Sequence, residues 1–174
     1  MMTVILVTGY GVSELGIFKD NDIRINIIKK VIKKDFIDFI EEGVSWFVFT
    51  GRLGFEYWAL EVAKELQKDY DFKIATLFSF ENHGHQWNAA NQEKLQQFKT
   101  VDFLRYSFPY YENPQQLTQF NHYLLNNTKG AYLFYDEEKK TNLDYLYQLM
   151  KKEKDYFIHQ LTFERLNNIV EDLE

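Results

Sequence analysis

Thr50-Gly51-Arg52-Leu53-Gly54-Phe55-Glu56 sits between an apolar run, Val44 to Phe49, and a helix-like pattern, Trp58 to Leu66. A strand, a two-glycine turn and a helix in that order form a ready phosphate cradle. The glycines let backbone come close to a ligand, and the free N–H groups of a helix start point at an anion.

Working outward, the same order repeats. Val4 to Thr8 is expected as a strand ending in a glycine loop. Asn21 and Asp22 offer a cap for a helix reaching about Glu42, with Gly43 as its stop. Within it Ile25, Ile28, Ile32, Phe36, Phe39 and Ile40 recur at steps of three and four, one apolar helical face. Further strands are expected at Ser45–Phe49, Lys73–Phe78, Asp102–Tyr106, Ala131–Tyr135 and Tyr156–His159. Further helices are expected at Gly54–Lys68, Glu93–Lys99, Gln115–Asn126, Asn142–Lys152 and Phe163–Leu173. Pro109 and Pro114 punctuate the loop before the Gln115 helix. The strands are short continuous apolar runs, as they must be when helices cover both faces. The expected fold is therefore α/β: a Rossmann-like, doubly wound, mainly parallel sheet flanked by helices, residues 1–174 forming one domain.

In such sheets ligands lie beyond the C-terminal strand ends, near the point where strand order reverses. That rule selects Thr8–Gly16, Thr50–Glu56, Ser79–Trp87 and Asp136–Asn142. In the first, Gly9 and Gly11 fit a G-x-G-x-x-G fingerprint, but Glu14 stands where the third glycine belongs. Thr8, Gly9, Tyr10 and Gly11 remain as a ligand-facing loop or a plain glycine turn. In the second, Gly51 gives a tight exit from the strand and Gly54 a close approach at the helix start. Arg52 has a planar fork that matches phosphate oxygens. Glu56 serves either to hold sugar hydroxyls or act as a base, or only to complement the helix dipole. No Gly-Lys-Ser/Thr follows, so this is not a Walker loop.

Trp87, in a polar loop, is placed to stack on a base or to cap the edge of the core. Asp136 ends a strand and either reaches a sugar or a water, or forms a turn. Glu56 and Asp136 are the two catalytic candidates. His83 and His85, with Glu81 nearby, lack a third ligand of matching spacing, so no metal is expected, and no cofactor. There is no G-x-S-x-G elbow.

Composition narrows the classes. The 174 residues are 45% hydrophobic and 26% charged, an ordinary globular balance, and a chain of this length buries roughly 70% of its unfolded surface. Aromatics are abundant, with 16 Phe, 12 Tyr and 3 Trp, enough to build a core and furnish a site. The absence of cysteine removes disulfides, thiolate metal sites and thiol nucleophiles together. A net charge of −6 argues against a nucleic-acid partner, which asks for a basic field. No apolar run approaches the roughly 18 residues of a membrane span. The opening Met1–Val7 run has no basic flank, so it is expected as a buried first strand of a cytoplasmic protein.

Thr8-Gly9-Tyr10 with Glu14–Phe18 (ELGIF), Thr50–Glu56 (TGRLGFE), Trp58–Leu66 (WALEVAKEL), Pro109–Pro114 (PYYENP) and Tyr132–Asp136 (YLFYD) together resemble the YpsA family. These are small bacterial proteins of the SLOG superfamily of Rossmann-like folds. The superfamily includes the DNA-processing protein DprA and the "lonely guy" phosphoribohydrolases, which release a base from a nucleoside monophosphate. Gly51–Glu56 is similar to the glycine loop and acid of the DprA type. It departs from the P-G-G-x-G-T-x-x-E of the hydrolases, and Phe120 stands where their catalytic arginine would be needed. The resemblance thus implies binding of a nucleotide or an ADP-ribose-like molecule.

Three readings of function stand at this point. The first is a sensing or regulatory protein for a nucleotide-derived ligand. The second is an enzyme cleaving an N-glycosidic bond in a nucleotide. The third is a protein-interaction module with a vestigial pocket, using exposed aromatics such as Tyr110 and Tyr111. A homo-oligomer or a protein partner is compatible with each.

Overall fold

The computed structural model describes residues 3–173, with side chains to residue 171. Met1 and Met2 of the expected first apolar run lie outside the described residues. The chain alternates strands and helices from β1 (Thr3–Gly9), α1 (Val12–Leu15) and α2 (Ile23–Glu41) to β2 (Val44–Phe49) and α3 (Phe55–Leu66). It continues through β3 (Lys73–Phe80), α4 (Ala89–Lys99), β4 (Phe103–Phe108) and α5 (Gln115–Asn126). It ends with β5 (Gly130–Phe134), α6 (Leu143–Lys152), β6 (Phe157–Leu161) and α7 (Phe163–Leu173).

The six strands form one sheet in the order β4-β3-β2-β1-β5-β6. Every neighbouring pair is parallel. The chain adds strands outward from β1 to β4, then returns across the sheet to place β5 on the other side of β1. The reversal therefore falls between β1 and β5. Right-handed crossovers put helices made before and after such a reversal on opposite faces. α2 packs on α3 and α7, and α3 on α4, forming one layer, while α5 and α6 cover the other face.

Sequence chemistry explains the elements. β5 is buried along its whole length, as a central strand covered on both faces must be. The Asp22 side chain caps α2 by accepting the Arg24 N–H at 2.9 Å. Ile25, Ile28, Val31, Ile32, Phe36 and Phe39 turn from α2 into the core. Rings make much of that core: Phe36 stacks on Phe47 at 4.4 Å between centroids and meets Tyr132 edge-on at 5.6 Å.

Several element boundaries differ from the sequence expectation by a residue or more, β4 and β6 each reaching two residues further, and three differences have a visible cause. α4 begins at Ala89 rather than Glu93, because Asn88 accepts the Asn91 N–H and caps it earlier. β3 runs on to Phe80, held by pairing of Phe80 with Phe108 on β4. The short α1 was not expected at all; the Glu14 side chain accepts the Gly11 N–H at 2.8 Å and starts it. Among the described residues no helix is long and apolar enough to cross a membrane.

Candidate functional site

Glu56 organises the turn that opened the sequence reading. It lies in the first turn of α3 and is fully buried. Its Oε1 accepts the N–H groups of Thr50 at 2.7 Å, Gly51 at 3.1 Å and Arg52 at 3.4 Å. Its Oε2 accepts the hydroxyls of Thr8 at 2.8 Å and Thr50 at 2.5 Å. Burial pushes the carboxyl above its ordinary pKa, and the bonds from Thr50, Thr8 and Arg52 pull it back. One side chain thus ties the C-terminal ends of β1 and β2 together.

The two glycines of the turn serve this packing. Gly54, at φ 98°, lies against the first loop: a Cβ there would be 2.8 Å from both Tyr10 O and Val12 N. Gly51, at φ 90°, lies against the Phe78 ring, which a Cβ would approach to 2.2 Å. Both positions favour glycine for backbone conformation as well as for room. The Phe55 N–H, at the head of α3, donates to Tyr10 O at 3.1 Å. The N–H groups of residues 50, 51, 52 and 55 are therefore turned inward, onto Glu56 and Tyr10.

The remaining expected residues fall around this knot. Gly9 closes β1 against Phe134 and Phe55. Tyr10 is buried, and its hydroxyl bridges to the 136–139 loop, 2.9 Å from Asp136 O and 2.7 Å from Lys139 O. Gly11 lies beside Arg52, whose guanidinium pairs with Glu14. Glu14, read in sequence as a lost glycine, thus holds both Gly11 N–H and Arg52. Asp136 shapes a turn: Oδ1 accepts the Glu138 N–H at 3.0 Å and Oδ2 the Phe163 N–H at 3.2 Å. Tyr10 links it to the first glycine turn. Trp87 stands one ring further out, edge-on to His83 at 5.2 Å, while His83 donates to Gly51 O at 2.8 Å. His85 bonds Asn82 O at 2.8 Å. Among the described residues no three His, Cys, Asp or Glu converge to hold a metal.

Above the knot opens a cleft of about 900 Å³. Thr8, Thr50 and Ser79 supply its floor from the C-terminal ends of β1, β2 and β3, and Arg52 stands at its edge. One wall is α5, with Leu117, Thr118, Phe120, Asn121 and Leu124. The other is α6 and its approach, with Asn142, Asp144, Tyr145, Gln148, Leu149 and Lys152. The volume suits a nucleotide-sized molecule, and the mix of apolar walls with a few polar groups is that of small-molecule sites.

Ser79 belongs to a strand-end segment singled out in the sequence, but none of the α6 residues was signalled there. Their only sign is polar residues, Asp144 and Gln148, among the apolar positions of an amphipathic helix, a pattern every surface helix shows. On α5, Phe120 lines the cleft directly, so the side chain standing in place of an arginine faces its interior.

Comparison with known proteins follows this geometry. The YpsA family model, described as the YspA SLOG family, matches residues 5–166. A UPF0398 protein of Streptococcus agalactiae is 62% identical over 172 residues, covering 99% of this chain and all of the relative. Those of Streptococcus uberis and Streptococcus mutans are each 59% identical, over 171 and 173 residues, covering 98% and 99% of this chain and 98% and 100% of the relatives.

Proposed function

This chain belongs to the YpsA SLOG family, and on that premise we propose that it binds a nucleotide-derived ligand in the cleft between α5 and α6. The role would be sensing or regulation in the cytoplasm. The observation carrying this reading is the cleft's place: it opens over the C-terminal strand ends of β1, β2 and β3, beside the strand-order reversal between β1 and β5. The N–H groups of Thr50, Gly51, Arg52 and Phe55 are committed to Glu56 and Tyr10, and we assign the anion-holding role to the Arg52 guanidinium at the cleft edge. Glu56, fully buried, acts by presenting Thr8 and Thr50 rather than by touching the ligand. Thr8, Thr50, Ser79 and Asn121 would then contact it, with Phe120 offering a ring face in the wall.

Thermal unfolding measured with AMP, ADP-ribose, NAD and cyclic dinucleotides tests the proposal. A member of the panel present at 100 times its Kd adds about 2.7 kcal/mol of stability. Asn121→Trp, which fills the cleft from α5, abolishes that gain while the free protein stays folded. No stabilisation by any member overturns the reading. Consumption of a bound nucleotide with release of its base, followed in the same samples, replaces the sensing role with hydrolysis.

A further inference from the structure

The cleft floor has a polarity imposed by chemistry one layer below it. Backbone N–H groups can only donate, and those of Thr50, Gly51 and Arg52 converge on Glu56 Oε1. That leaves Oε2 for the hydroxyls of Thr8 and Thr50. Burial raises the pKa of Glu56, but the bonds from Thr50, Thr8 and Arg52 counter it. With Oε1 filled by three N–H groups and Oε2 by two hydroxyls, the geometry fits the ionised carboxylate, which has no hydrogen to give back. Both threonine hydroxyls therefore aim their hydrogens inward and turn lone pairs toward the cleft. Because they share a single carboxylate oxygen, these two acceptors are close neighbours. The five partners of Glu56 are all neutral, so its negative charge stands behind the floor uncompensated by any of them. The edge of the cleft has the opposite character. Arg52 keeps 36% of its side chain exposed although it pairs with Glu14.

We propose that the cleft takes a ribose-bearing anion in one orientation, with the vicinal hydroxyls of the sugar donating to Thr8 and Thr50 at the floor and the phosphate held at the edge by Arg52. This rests on the nucleotide-derived ligand proposed above and adds which end goes in first. A phosphate at the floor would meet two acceptor oxygens and a buried anion. Sugar hydroxyls meet acceptors that lack hydrogens to receive. A cis diol offers two donors side by side, as the paired threonine oxygens require.

The test compares AMP and ADP-ribose with AMP lacking its 2′ and 3′ hydroxyls and with adenosine, each titrated calorimetrically into the full chain. Removing the two hydroxyls is expected to weaken AMP at least ten-fold. Thr50→Val, which keeps the shape and removes one acceptor, brings AMP and its dideoxy analogue within about two-fold of each other. Arg52→Gln weakens AMP while leaving adenosine unchanged. Equal affinity for AMP and its dideoxy analogue overturns this orientation but leaves the ligand class standing. Failure of all four compounds to bind overturns the orientation, and failure of NAD and the cyclic dinucleotides as well overturns the ligand class. The analogue comparison on the unaltered protein decides the matter even where Thr50→Val fails to fold.

Discussion

Two buried carboxylates in this molecule are handled in opposite ways. Asp35, on α2 and 2% exposed, is neutralised by a cation. Arg165 of α7 grips both its oxygens at 2.6 Å, and the Tyr132 hydroxyl donates to Oδ2 at 2.6 Å. Glu56, fully buried at the strand ends, is surrounded only by N–H and O–H groups that carry no net charge. The first arrangement pins one helix to another, and the cation offsets most of the charge it buries. The second leaves an anion that still acts on whatever lies above Thr8 and Thr50. A buried acid met by a cation is a fastening, and one met by neutral donors is a way of giving a surface a sign.

That contrast can be broken most strongly at Glu56. Glu56→Ala takes the acceptor from three N–H groups in the turn, and each buried unpaired donor costs about 1–3 kcal/mol. A loss of about 4 kcal/mol is expected in urea unfolding, with the glycine turns released as a unit. A loss under about 1 kcal/mol would mean that the knot is not what joins β1 to β2.

Arg165→Ala comes next. It leaves Asp35 without its cation, which costs about 3 kcal/mol, at the lower end for a broken buried pair because Arg165 is partly exposed. For a domain of this size that is roughly a 6–12 °C fall in Tm. The paired replacement Asp35→Leu with Arg165→Met is expected to recover most of it, since a cation-neutralised acid can be exchanged for apolar volume. The same rescue is not available at Glu56, whose N–H partners cannot be mutated away.

The smallest effect is a pH dependence on the Asp35 side. His159 lies 3.8 Å from Asp35 and 3.4 Å from Arg165, and burial lowers its pKa below the ordinary 6.5. Asp38 and Glu42 also face it and pull the other way. A histidine whose pKa is lower in the folded chain binds fewer protons there than in the unfolded one. Stability therefore rises with pH through the window just below 6.5 and falls as acid charges the ring. Tm measured from pH 5 to 7 shows this slope, and His159→Gln flattens it. An unchanged slope in that variant would assign it to other groups.

Much of the fold was legible because its signals are local. Short apolar runs such as Ala131–Tyr135, the spaced isoleucines and phenylalanines of α2, and the cap at Asp22 each declare an element without help from distant residues. α1 escaped because its start depends on Glu14 reaching back to Gly11, where the sequence shows only a failed glycine position. For the candidate site, Thr8, Gly51, Arg52 and Glu56 were all legible as strand-end residues. The direction in which Glu56 faces was not, because that depends on β1 lying beside β2 so that Thr8 and Thr50 meet at one oxygen.

By itself, then, the sequence determined an alternating α/β chain, its strand ends and the glycine turns at those ends, because periodicity and backbone conformation are properties of neighbouring residues. Tertiary structure alone decided that Gly51 and Gly54 give room to Phe78 and to the Tyr10 loop, that the turn's N–H groups face inward, and that α5 and α6 form the walls of a cleft. Those outcomes depend on the strand order, in which β5 crosses the sheet to lie against β1. No local pattern records that crossing, since it brings together residues more than a hundred positions apart.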